Sequence, residues 1–250
     1  MTRVVRPLNE SQFRWSGWLF AFARPAAAHY PTSIGWRILI ACLFLEGLAR
    51  PIARAALPLL GLAGSELGRF SLVATMLALA VGATALWIRL PFSQIGLRRW
   101  EEWGSAERWF FPQIIAVSVL VFTSTQWSQL AALSKQTRWI EATTIVFVGQ
   151  MIWGFYQEYV YRGLLQTELV RRWGAVTGIL VSNLVFTFGP LHAYHFSNSW
   201  DDPSHLLIFP PIFAIGLYFG VLFHRSGNLW IIGVAHGIGD FFADGLATLR

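Results

Sequence analysis

From residue 37 onward the chain is a succession of apolar runs, most of them close to the ~20 residues an α-helix needs to cross the hydrocarbon of a bilayer. That pattern confines it to a membrane-embedded helical fold. Composition agrees: 55% of the 250 residues are hydrophobic and 13% are charged, against about 25% charged in ordinary soluble domains. Mean hydropathy is +0.49. The expected fold is an all-α polytopic membrane protein of about seven transmembrane helices plus surface amphipathic helices.

The spans are expected at about 37–62, 70–92, 109–133, 140–167, 175–192, 205–223 and 229–247. Residues 1–36 read as an N-terminal interfacial segment, with Trp15, Trp18, Phe20 and Phe22 between Arg14 and Arg24, because amphipathic rings settle at headgroup level; a short extra membrane helix at 16–30 is the alternative. Residues 37–250 read as a single membrane-embedded domain. The N-terminus lacks a signal-peptide core, so the first span is expected to serve as the insertion signal. Within 93–108, Arg98, Arg99, Glu101, Glu102 and Arg108 surround Trp100 and Trp103, the pattern of an amphipathic surface helix with solvated carboxylates. The formal net charge of +6 is better explained by positive-inside placement than by nucleic acid. Arginines concentrate in the segments that would be inside if the N-terminus is inside and the C-terminus outside. Cys42 is the one cysteine, which excludes an intramolecular disulfide and a cysteine metal site.

Ionisable side chains in such spans are costly and usually functional. Glu46, Arg50 and Arg54 line one helical face, either as a structural ion-pair stripe or facing a substrate. Three later spans each hold a polar pair at four-residue spacing, which places its members on one face of a helix. These are Glu158 with Arg162, preceded by Gln157; Phe188 with His192; and His236 with Asp240. Gly233, Gly237 and Gly239 flank the last pair and permit close helix approach. If the three faces converge, one intramembrane pocket holds two carboxylates, an amide, two imidazoles and a guanidinium.

Gln157-Glu158-x-x-x-Arg162-Gly163, then Phe188-x-x-x-His192, then Asn228-Leu229-Trp230 leading to His236-x-x-x-Asp240, resembles the CPBP family of intramembrane endopeptidases. That family includes the type II CAAX prenyl proteases and bacteriocin-processing or self-immunity proteins. Its pattern is Glu-Glu-x-x-x-Arg, Phe-x-x-x-His and His-x-x-x-Asn/Asp, and the likeness covers about residues 140–247. The resemblance implies hydrolysis of a peptide bond in a membrane-associated protein or peptide. It casts His192 as the base that positions water, His236 as oxyanion stabiliser, Asp240 as its neighbour or orienter, and Glu158 as held by Arg162.

One position departs from the pattern. The family's first glutamate, which is thought to activate water, is Gln157 here, and an amide has no useful basic site. Three readings follow: Glu158 itself serves as base, the glutamine marks an inactivated form, or the chain is a non-proteolytic binding or immunity relative. His192, His236, Glu158 and Asp240 are donor types that suit zinc. However, no His-Glu-x-x-His spacing occurs, and the expectation is no metal and no cofactor. His195 reads as a loop histidine. The expected partners are a membrane-associated substrate and the bilayer, with no nucleic acid. The resemblance implies a multi-pass protein of a bacterial inner membrane. A transporter would place broken half-helices in both halves of the chain, whereas these motifs crowd the second.

Overall fold

Helix-stopping residues divide the chain where its hydropathy does. The computed structural model describes residues 30–135, 137 and 139–249; the interfacial segment expected at 1–36 lies outside them up to residue 29. Helix α1 (Thr32–Phe44) runs through a wide π turn, Leu45–Ala49, into α2 (Arg50–Leu59). Pro51 lies in the first turn of α2; it has no N–H to donate and crowds the preceding turn, and the helix widens there. Ser65 caps α3 (Glu66–Gly82) by accepting from the Gly68 amide at 3.0 Å. This helix ends in a π turn, Ala83–Ile88, stopped by Arg89 in the left-handed region at φ 58°.

Helices α4 (Ser105–Thr125) and α5 (Trp127–Leu133) follow. Then α6 (Trp139–Glu158) passes through a π stretch, Tyr159–Gln166, into α7 (Thr167–Trp173). Gly174, at φ 80°, ends α7. Helix α8 is Ala175–Phe188, α9 is Ala193–Asn198 and α10 is Phe209–Ser226. Gly227 closes α10 at φ 60°, and Asn228 caps α11 (Leu229–Asp240), which continues as a π turn, Phe241–Gly245. Among the described residues there is no strand, and the protein is all-α.

Among the described residues, four segments are long and apolar enough to cross a membrane: Glu66–Ile88, Ser105–Thr125, Ala175–Asn198 and Pro203–Ser226. Their flanks expose side chains such as Leu86, Trp109, Val117, Leu120 and Leu207, an apolar surface suited to lipid and not to water. This is an integral membrane protein. The other three expected spans are helical too, but they are the ones interrupted by Glu46 and Arg50, by Glu158 and Arg162, and by His236 and Asp240. Length and composition therefore support four of the seven expected crossings. The surface helix expected at 93–108 is replaced by two short 3-10 turns, Phe92–Ile95 and Trp100–Glu102, before α4 begins. Gly96 at φ 92° separates the turns, and its carbonyl accepts from the Leu229 amide at 2.9 Å. Backbone pairing to the start of α11 thus displaces helix continuation.

Buried polar groups tie the ends of the bundle. Beyond the expected end of the fourth span, the buried Glu168 carboxylate accepts two bonds from Arg171 (2.7 and 2.8 Å), one from Tyr30 (2.9 Å) and one from Arg172. Burial alone would raise its pKa, but these bonds outweigh burial and hold the carboxyl below its usual range. On the first helix, Glu46 accepts from Arg50 at 3.0 Å and from the Tyr156 hydroxyl at 2.5 Å. Arg50 is buried while Arg54 is exposed, so the ion pair joins only the first two members of the stripe.

Candidate active site

Helix α6 delivers Gln157 and Glu158 side by side, and the π stretch after it turns Arg162 back onto Glu158. Arg162 Nη1 donates to Glu158 Oε1 at 3.1 Å, and Nη2 donates to the Gly216 carbonyl of α10 at 2.8 Å. The guanidinium also lies over the Phe186 ring, 4.1 Å from its centroid. Glu158 is 0% and Arg162 1% exposed. Charges buried this deeply persist only when paired and hydrogen-bonded, and both conditions are met.

Helix α11 reaches this pair because its backbone nearly touches α6. A Cβ on Gly154 would overlap the Gly237 backbone, and one on Gly237 would lie 2.7 Å from Met151 Cα. Of the three flanking glycines, Gly237 and Gly233 have such close neighbours, while Gly239 has ordinary room. The approach sets His236 Nδ1 2.6 Å from Glu158 Oε1 and His236 Nε2 3.4 Å from Asp240 Oδ1. Asp240 Oδ2 in turn accepts from Gln157 Nε2 at 3.0 Å. Arg162, Glu158, His236, Asp240 and Gln157 therefore form one continuous polar chain across two helices.

The lead-in Asn228-Leu229-Trp230 sets the register of α11. Asn228 Oδ1 accepts from the Trp230 amide at 3.1 Å, and its Nδ2 donates to Glu107 Oε1 at 3.2 Å. Glu107 also binds Arg98 at 2.8 Å and the Gly104 amide at 2.7 Å. Trp230 donates to the Arg98 carbonyl and packs on Phe155, with ring centroids 5.0 Å apart. The sequence reading overlooked Glu107. Its signal was positional, three residues after Gly104 in the first turn of α4, where a carboxylate can accept from free backbone amides.

Helix α8 corrects one pairing. Phe188 and His192 were expected to share a helical face, yet α8 stops at Phe188, Gly189 is extended, and Pro190 opens a 3-10 turn containing His192. The helical spacing is lost at that break. Phe188 packs instead on Phe196, Phe209 and Phe213. The ring beside His192 is Phe186, 5.3 Å away edge-on and also 5.9 Å from His236. Phe186 thus touches Arg162 and both imidazoles. His192 Nδ1 lies 2.9 Å from the Phe186 carbonyl; a carbonyl only accepts, so Nδ1 carries the proton and the neutral ring keeps its lone pair on Nε2. His195, expected in a loop, is buried in α9, its ring 6.1 Å from that of His192.

Both nitrogens of His236 face carboxylate oxygens, while His192 engages the Phe186 carbonyl through Nδ1 alone. Among the described residues, no three His, Cys, Asp or Glu side chains gather as metal ligands.

The protein is thus an all-α integral membrane protein with an acid–imidazole–acid chain set between two of its helices. Residues 139–242 match the family described as type II CAAX prenyl endopeptidase Rce1-like. This match supports the resemblance of that region to the CPBP family, a family of proteases. Neither the curated proteins nor the solved structures contain a match to it.

Proposed function

We propose that the protein is an intramembrane endopeptidase that hydrolyses a peptide bond of a membrane-associated protein or peptide, using water activated beside the polar chain that joins α6 to α11. The observation that carries this reading is the unbroken chain from Arg162 to Gln157, with His192 beside it across the Phe186 ring. The Rce1-like match over the same residues supports it.

In this reading His236 faces the developing oxyanion, where a fixed donor lowers the barrier most. Glu158 and Arg162 are positioning residues: Glu158 Oε1 accepts from both His236 and Arg162, which fixes the imidazole but leaves that oxygen poorly placed to take a proton from water. His192, with its Nε2 lone pair free, orients the attacking water. Substrates of this class present a peptide near the bilayer surface, either a prenyl-type or sorting-signal C-terminus or a leader peptide. The proposed setting is a bacterial inner membrane, N-terminus inside and C-terminus outside.

The test is cleavage of such peptides by the protein in liposomes. His192→Ala and His236→Ala should each lower kcat by about 10²–10⁴-fold, the usual loss when a general base or an oxyanion donor is removed. No cleavage of any peptide, together with stoichiometric co-purification of a membrane partner, would favour a silent binding or immunity protein instead.

A further inference from the structure

Gln157 removes the acid that water activation would draw from α6, so the proton must go elsewhere. Glu158 is a poor acceptor. Its Oε1 is shared by Arg162 and His236, and its Oε2 is buried away from water with no hydrogen-bond partner. His236 has carboxylate oxygens at both nitrogens. Asp240 is different: its side chain keeps 17% of its surface open, against 0% for Glu158. Each of its oxygens faces one group, Gln157 Nε2 at Oδ2 and His236 Nε2 at Oδ1. A carboxylate has about four lone-pair sites, so Asp240 is held from two sides and can still bind water.

We propose that Asp240 is the water-activating carboxylate and Gln157 its positioning donor, so that acid and amide have exchanged places across the α6–α11 contact. This rests on the endopeptidase reading and completes it. Water bound to Asp240 and oriented by His192 passes a proton to the Asp240 carboxylate as its oxygen bonds to the scissile carbonyl carbon. The π electron pair moves onto the carbonyl oxygen, which develops its charge toward His236 Nε2; the 3.4 Å separation of that nitrogen from Asp240 leaves it only weakly engaged and able to donate to the oxyanion. On collapse the C–N bond breaks, its electron pair stays on nitrogen, and Asp240 returns the proton to the leaving amine. The products are one carboxyl and one amino terminus, and Asp240 is again a carboxylate.

The facing geometry makes the exchange testable by reversal. Asp240→Asn leaves two amides opposed and no carboxylate at that contact; Gln157→Glu with Asp240→Asn restores one acid and one amide with their places swapped. Both are assayed as full-length protein in liposomes on internally quenched peptides bearing an S-prenyl cysteine near the C-terminus and on a leader-peptide set, with thermal midpoints recorded. We expect Asp240→Asn to lose about 10²-fold or more in kcat at an unchanged midpoint, and the double variant to regain at least about tenfold over it. Cleavage by folded Asp240→Asn at more than about a tenth of the parent rate overturns the role of Asp240 and leaves the endopeptidase reading intact. So does a folded double variant as inactive as Asp240→Asn while the parent cleaves. Absence of cleavage by both the parent and the double variant defeats the endopeptidase reading itself.

Discussion

Removing Arg162 while leaving Glu158 in place is the most direct test of how the site is held together. The guanidinium is 1% exposed and has three partners: Glu158 at 3.1 Å, the Gly216 carbonyl at 2.8 Å and the Phe186 ring at 4.1 Å. In Arg162→Met the stem is roughly replaced, but Glu158 keeps a buried charge with only His236 against it. Stranding one partner of a buried pair costs about 3–5 kcal/mol. In Glu158→Gln/Arg162→Met the charge disappears from both sides, and the glutamine oxygen can still accept from His236 Nδ1. The double variant should therefore lie above the single one, with a coupling of more than about 1 kcal/mol. Reversible unfolding in mixed detergent micelles measures both. A loss under about 1 kcal/mol for Arg162→Met, or strict additivity of the two substitutions, would refute the view that Arg162 exists to compensate Glu158.

Two further outcomes follow from other parts of the fold. Gly237→Ala should destabilise by about 1–3 kcal/mol, the usual cost of overpacking, because the new methyl would meet the Met151 backbone that α11 packs against; it should also lower cleavage by moving His236 away from Glu158. The Glu168 carboxyl titrates below its usual range in the fold, so its contribution is present above the unfolded-state value of about 4 and fades as pH falls through the lower folded value. Acid unfolding of Glu168→Gln should accordingly be shallower than that of the parent across this window; an identical acid profile would show that the Tyr30–Arg171–Arg172 cluster does not depend on charge.

What lay within one helix could be read directly from the chain. Hydropathy located the helical runs, because burying an unbroken apolar stretch in lipid depends on that stretch alone. Four-residue spacing joined Glu158 to Arg162 and His236 to Asp240 for the same reason: a helix turn places those side chains together whatever surrounds it. Partners across helices were a different matter. That His236 bonds Glu158, that Gln157 donates to Asp240, and that Asn228 reaches Glu107 depend on how closely α11 packs against α6 and α4, which local spacing does not encode. The helix break at Gly189 shows the limit most plainly. Spacing assigned Phe188 to His192, but once the backbone leaves the helix its periodicity no longer applies, and Phe186 takes that place. The sequence by itself determined a helical membrane chain with acids, amide and imidazoles on its late helices. Only the packing of those helices decided that the Glu158–Arg162 pair is sealed from water while Asp240 stays partly open to it.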